Sequence, residues 1–138
     1  MATGLVYLTL DQVLSYHEMA LAAAHGSGGL RSYAGLASAV AAPGQTFGGD
    51  DLYPTIPLKA AAYGFFIAES QAFVDGNKRT AAIAMLAFLS LNGYEFHQTD
   101  DEMEAMLLGL GNENSDVDQN AFFDWVCQHA SECPKGHG

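Results

Sequence analysis

Basic residues are scarce in this chain: five Lys and Arg stand against 16 Asp and Glu, a formal net charge of −11 over 138 residues. Affinity for nucleic acid comes largely from Lys and Arg neutralising phosphates, so DNA is not an expected partner. Cysteine is scarcer still. Cys127 and Cys133 stand six apart near the end, which fits neither a disulfide framework nor a C-x-x-C zinc spacing, and two free thiols in a reducing compartment are expected. Long apolar runs are missing as well. The longest, AAIAMLAFL at 81–89, falls far short of the ~20 residues that cross a bilayer. The start, MATGLVYLTLDQ, has no basic stretch followed by an apolar one, as a secretory signal would. A cytoplasmic, soluble protein without membrane contact is the expectation.

What is present reads as one domain, residues 1–138, long enough to bury a substantial core. The hydrophobic share of 49% is ordinary for a globular protein. Thr9 and Gln12 have the spacing of a capping box, and Val13, Leu14, His17, Leu21 and Ala24 then recur at helical spacing. That predicts a first helix ending before the Gly26–Gly29 cluster. A second helix is predicted from about Ser32 to Ala41, stopped by Pro43–Gly44. PGQTFGGDDLYPTIP, at 43–57, is too rich in Gly and Pro for a helix, and a loop of that length in a compact domain is more often functional than idle.

Pro57 suits the first turn of a third helix through roughly Glu69, apolar nearly all round and therefore central. A fourth follows Gly76 and closes at Asn92–Gly93 as a left-handed cap would. Thr99 and Glu102 repeat the capping-box spacing, and Ser115 is the predicted start of a last helix carrying Phe122, Trp125, Val126 and His129 on one stripe. No alternating run is long enough for a sheet; at most Tyr94–Phe96 or part of the Gly-rich loop is extended. The fold class is thus all-α, a single-domain bundle of about six helices with a Gly-rich flap loop. Residues from about 134 to 138 form the expected disordered tail.

The two most apolar helices are joined by the most polar stretch of the chain, and Lys78 and Arg79 sit side by side in it. Cations in the first turn of a helix work against its dipole by ~0.3–1 kcal/mol each. A bound anion removes the conflict, because helix-start N–H groups, the dipole and two cations together make a phosphate site. Asn77 can cap the helix, and Gly76 allows a tight turn or close approach of a ligand. Asp75 would repel a phosphate unless a magnesium ion sits between them. On these residues alone, Asp75 or Asn77 can equally be plain caps and Lys78 with Arg79 a solvated pair. His17 reads as a hydrogen-bonded core histidine. His25, His97, His129 and His137 have no carboxylate or cysteine partner at useful spacing, and Phe122 and Trp125 read as core.

QAFVDGNKRTA, at 71–81, resembles the loop of the Fic/Doc (death-on-curing) family, whose general form is H-x-F-x-[DE]-G-N-x-R. LTLDQVLSYHE, GLASAV, LKAAAYGFF and LAFLSLNGYEF resemble the death-on-curing branch in the same order and at the expected distances, so most of the chain is covered. The resemblance implies the Fic/Doc fold. It also implies Phe73 as the loop's anchor, Asp75 as the holder of Mg2+, and Gly76, Asn77, Lys78 and Arg79, with the helix-start amides, as the binders of a nucleoside triphosphate, ATP being the expected one. The segment around Thr46–Tyr53 would correspond to the flap that lines up a target segment. Family members transfer AMP or a phosphoryl group from a nucleotide to a protein hydroxyl.

Three departures qualify what the resemblance implies. Fic adenylyltransferases typically carry Gly where Lys78 stands and a further Arg where Ala82 stands, which favours the Doc-type toxin. Such toxins act on the translation machinery, here a translation elongation factor, and are silenced by an antitoxin protein. The family's catalytic histidine falls on Gln71. An amide cannot take a proton from an attacking hydroxyl near neutral pH, so binding without useful turnover is expected. The alternatives are AMP transfer of the Fic type, or a catalytically dead pseudo-enzyme that binds nucleotide or a partner.

Overall fold

The computed structural model describes residues 5–24, 28–112 and 114–134. The expected tail beyond Pro134, and His25 and His137, lie outside them. Six α-helices and two small antiparallel ladders are described, in agreement with the all-α expectation.

Local signals in the sequence place most of these elements. Helix α1, Leu10–Ala24, begins at a reciprocal cap: Thr9 N–H donates to Gln12 Oε1 at 2.7 Å, and Gln12 N–H donates to Thr9 Oγ1 at 3.1 Å. These bonds satisfy two of the groups that a helix start leaves without partners. Helix α2, Tyr33–Ala41, is capped by Ser32, which accepts from Gly35 N–H, and a 3-10 turn over Ala42–Gly44 follows it. Strands β1, Thr46–Phe47, and β2, Asp50–Asp51, form a hairpin. Gly48 and Gly49 have φ of 61° and 89°, the two positive values that a tight hairpin turn requires. The Gly-rich flap is therefore partly extended.

Helix α3, Ile56–Ser70, starts on the Thr55 cap with Pro57 in its first turn, and it is buried without a break from Lys59 to Gly64. Helix α4 runs over Asn77–Leu91 and ends before Gly93, whose φ is 81°. Strand β3, Tyr94–Phe96, pairs with β4, Ala130–Glu132. Helix α5, Asp100–Leu110, begins at the reciprocal Thr99–Glu102 cap.

One helix start differs from expectation. Helix α6, Gln119–His129, is capped by Asp118, whose carboxylate accepts from Ala121 N–H at 2.8 Å. Ser115 instead accepts from Val117 N–H, two residues on, and so closes a turn ahead of the helix. Both residue types favour either role, and the tertiary position of α6 decides between them.

Helices α3 and α4 form the centre of the bundle. Helices α2 and α6 pack on α3, and α1 packs on α4. At Gly64 a side chain would meet Met85 Sδ and the Phe122 ring, each about 3.1 Å away, so glycine lets α3 approach α4 and α6 closely. Tyr63 lies in the same core. Its oxygen accepts from Leu8 N–H at 2.9 Å, and burial pushes its phenol up to about 12 against that bond. Cys127 and Cys133 are free thiols. No helix among the described residues is long and apolar enough to cross a membrane.

Candidate functional site

The connection from α3 to α4 is bounded by two left-handed residues. Gln71, the C-cap of α3, has φ 50° and ψ 33°; Gly76, the N-cap of α4, has φ 85°. The chain thus leaves one helix and enters the next through sharp reversals, and the residues between them are held from three sides.

From below, Phe73 is buried and stacks on the ring of His17, with centroids 3.7 Å apart and planes 8° from parallel. His17 Nε2 lies 2.8 Å from the carbonyl oxygen of Asp75, so the protonated Nε2 donates there. This is the structural role expected of His17: it sets the height of the loop. From the side, residues 29–32 run along the loop. Val74 N–H donates to Gly29 O at 3.1 Å, and Arg31 and Ser32 N–H both donate to Ala72 O. From within, the Asn77 amide grips Phe73 twice: its Oδ1 accepts from Phe73 N–H at 3.0 Å and its Nδ2 donates to Phe73 O at 2.9 Å.

Asn77 therefore does not cap α4 through its side chain. Its amide is committed to the Phe73 peptide groups, and Gly76 takes the cap position without a side-chain bond. Replacing Asn77 with Ala leaves a part-buried N–H and C=O unmatched, which should cost about 1–3 kcal/mol of stability in a denaturant melt. A melt indistinguishable from that of the native chain would mean that the bracket is idle.

The first backbone bond of α4 runs from Thr80 N–H to Gly76 O at 2.9 Å. Asn77, Lys78 and Arg79 precede it, in the turn where a helix has no earlier carbonyls to offer its N–H groups. This turn opens on a cleft of about 760 Å³ lined by Gln71, Asp75, Gly76, Asn77, Lys78, Arg79 and Ala82. The six residues expected at the catalytic, nucleotide and metal positions, Gln71, Asp75, Gly76, Asn77, Lys78 and Arg79, thus meet on one concavity. The cleft's outer wall comes from α1 and α5, including Met19, Leu107, Leu108, Asp100 and Glu104. Those contributions were not foreseen, since nothing local to α5 marks it as facing the loop.

Lys78 is half-buried and Arg79 exposed. A side chain at Gly111 would come within 3.1 Å of Lys78 Nζ, so the ammonium lies beside the C-terminal end of α5, where a helix carries partial negative charge. Gln71 is exposed, and its Nε2 is 3.4 Å from Ala68 O. Among the described residues, no three His, Cys, Asp or Glu side chains gather as a metal site. Three carboxylates, Asp75, Asp100 and Glu104, line the cleft; Asp75 stands next to the α4 start, and a single carboxylate there is a donor that suits magnesium, which takes one or two carboxylates and completes its shell with phosphate oxygens and water.

The hairpin's first foot, Gln45, shares a smaller cleft with Phe66, Glu69 and Ser70, next to Gln71. That places the foot of the flap beside the same end of α3.

Comparison with known proteins bears on both fold and loop. A model of the Fic/DOC family matches residues 7–89, which takes in α1 to α3, the whole connecting loop and most of α4. A curated relative, Toxin Doc of Mycolicibacterium smegmatis (strain ATCC 700084 / mc(2)155), is 42% identical over 89 residues, 64% of this chain and 66% of that protein. The chain thus spans just under two thirds of that relative's length. No solved structure gives a significant match.

Proposed function

The chain belongs to the Fic/DOC family, and from that premise we propose that it is a Doc-type toxin of a toxin–antitoxin pair, with a nucleotide site at the start of α4 and a disabled transfer step. The observation that carries this reading is the convergence of Lys78, Arg79 and the α4 N-terminus on a cleft that also contains Gln71. A relative named Toxin Doc supports the toxin assignment.

In this reading the phosphates of ATP lie against the first turn of α4, where the helix dipole and two cations favour negative charge. Lys78 and Arg79 hold the phosphate oxygens, and Gly76, whose φ of 85° favours glycine, lets the chain turn sharply into α4. Asp75 would hold magnesium, which when bound spreads the charge of those oxygens. A hydroxyl of a translation elongation factor enters along the hairpin, beside Gln71. Transfer requires the hydroxyl oxygen to bond to the γ-phosphorus while the bond to the bridging oxygen breaks, and the hydroxyl proton needs an acceptor. Histidine would supply one. The Gln71 amide is not basic enough, so nucleotide binds and turnover is negligible.

Phosphoryl transfer is favoured over AMP transfer by Ala82, which lines the cleft where adenylyltransferases of the family typically place a second arginine. The discriminating experiment gives a Gln71→His variant elongation factor and ATP labelled at the α- or the γ-phosphate. Label from the γ position alone is expected. Label from the α position would make the ancestral chemistry AMP transfer, and none from either, with nucleotide bound, would leave a pseudo-enzyme.

A further inference from the structure

Lys59 has no part in the nucleotide site, yet it is 2% exposed in the first turn of α3, followed by Ala60, Ala61 and Ala62, all fully buried. Its Nζ lies 3.0 Å from Asp51 Oδ2, the one ion pair among the described residues. It also donates to the carbonyl of Tyr53 and sits 5.9 Å from the centroid of the Tyr7 ring. An ammonium in a core is costly unless it is paired and hydrogen-bonded. Here all its partners lie outside α3, and two of them belong to the flap segment.

The hairpin has little else to fix it. Each of its strands is two residues long and exposed, Phe47 is 81% exposed, and among the described residues nothing beyond the chain neighbours lies within 4 Å of the Cβ positions at Gly48 and Gly49. A two-stranded hairpin is marginal by itself. The Tyr53 ring packs near Phe66 and Phe123, which anchors the chain after the hairpin but not the strand itself. Beyond its ladder partner Thr46, Asp51 of β2 is tied to the helical bundle by the Lys59 pair.

We propose that Lys59 is a positioning residue for the target-docking rim. It ties β2 to the helix that ends at Gln71, so the rim and the reacting position are set by one rigid element. This rests on the reading of the hairpin as that rim. The buried charge fixes the strand's height and register, where an apolar residue would leave it to slide.

The test is amide hydrogen exchange on the full chain, with calorimetric binding of ATP and magnesium alongside. Lys59→Met should raise exchange over residues 45–53 by about tenfold, leave residues 71–82 at native rates and keep ATP affinity within about twofold of native. Lys59→Arg retains a cation and should restore most of the protection. Asp51→Asn alters a partly exposed side chain, so it reports the same local opening even if the Met variant fails to fold. Native exchange over 45–53 in both Lys59→Met and Asp51→Asn overturns the proposal. So does a rise spread evenly through α3 and α4, which would make the lysine a general stabiliser. Failure of the native chain to bind ATP would instead strike at the nucleotide site and leave this inference standing.

Discussion

Histidine in place of Gln71 is expected to raise group transfer by a factor of ~100–10,000 over the native chain, the usual worth of a general base. The backbone is ready for it. Gln71 is the only non-glycine among the described residues with positive φ, at 50°. Histidine is several-fold enriched in this left-handed region relative to most side chains, so the variant should fold with stability within about 0.5 kcal/mol of native. Activity of the variant should rise with pH through about 6.5, the ordinary histidine value, because only the neutral ring accepts a proton. The native chain should show no such inflection. Steady-state transfer rates between pH 5 and 8 check both statements. A Gln71→His protein that binds ATP yet transfers no faster than native would remove position 71 from the chemistry.

Truncating Phe73 to Ala should be the most damaging single change to the site's frame, at about 3–5 kcal/mol. Domains of this size are stable by only about 5–15 kcal/mol, so the melting temperature should fall by about 10 °C or more. The ring is 1% exposed and lies flat on His17; removing it leaves a cavity and frees His17 from the plane in which its Nε2 meets the Asp75 carbonyl. Phe73→Leu should lose less, since it keeps most of the buried apolar area. The two variants separate packing from loop placement: ATP affinity should follow the loss of the stack more than the loss of volume. Thermal melts with and without ATP read this out, and an unchanged melting temperature for the Ala variant would contradict the anchoring role.

Much of this arrangement was legible in the sequence because its causes are local. The caps at Thr9 and Thr99 need only a partner three residues on, and both form as spaced. The polar loop between two apolar helices stood out for the same reason, since Lys78 and Arg79 oppose a dipole a few ångströms away. His17 could be assigned to the core from its helical stripe. Its stacking on Phe73 could not, because the two are 56 positions apart in the chain.

What escaped prediction depends on approach in space. The pairing of residues 29–32 with Ala72 and Val74 joins positions 40 to 45 residues apart, and no periodicity encodes it. Asn77 was expected as a cap because its type and place fit one, and only the loop's closure reveals that Phe73 claims the amide. Nothing local to α3 marks Lys59 as an anchor, because its partner Asp51 reaches it through the fold of β2. The α5 wall of the cleft follows from how that helix returns after β3, a matter of tertiary packing.

The central claim is that the α4 N-terminus receives nucleotide phosphate. Titration calorimetry of ATP into the native chain, Lys78→Ala and Asp75→Ala, each with magnesium and with a chelator, addresses it directly. Saturable binding by the native chain is predicted. Lys78→Ala should weaken it about 10-fold or more under both conditions, as expected for a lost charge-assisted bond of ~1.5–3 kcal/mol, whereas Asp75→Ala should weaken it only when magnesium is present. No saturable heat from the native chain, or equal affinities for all three proteins, would contradict the account.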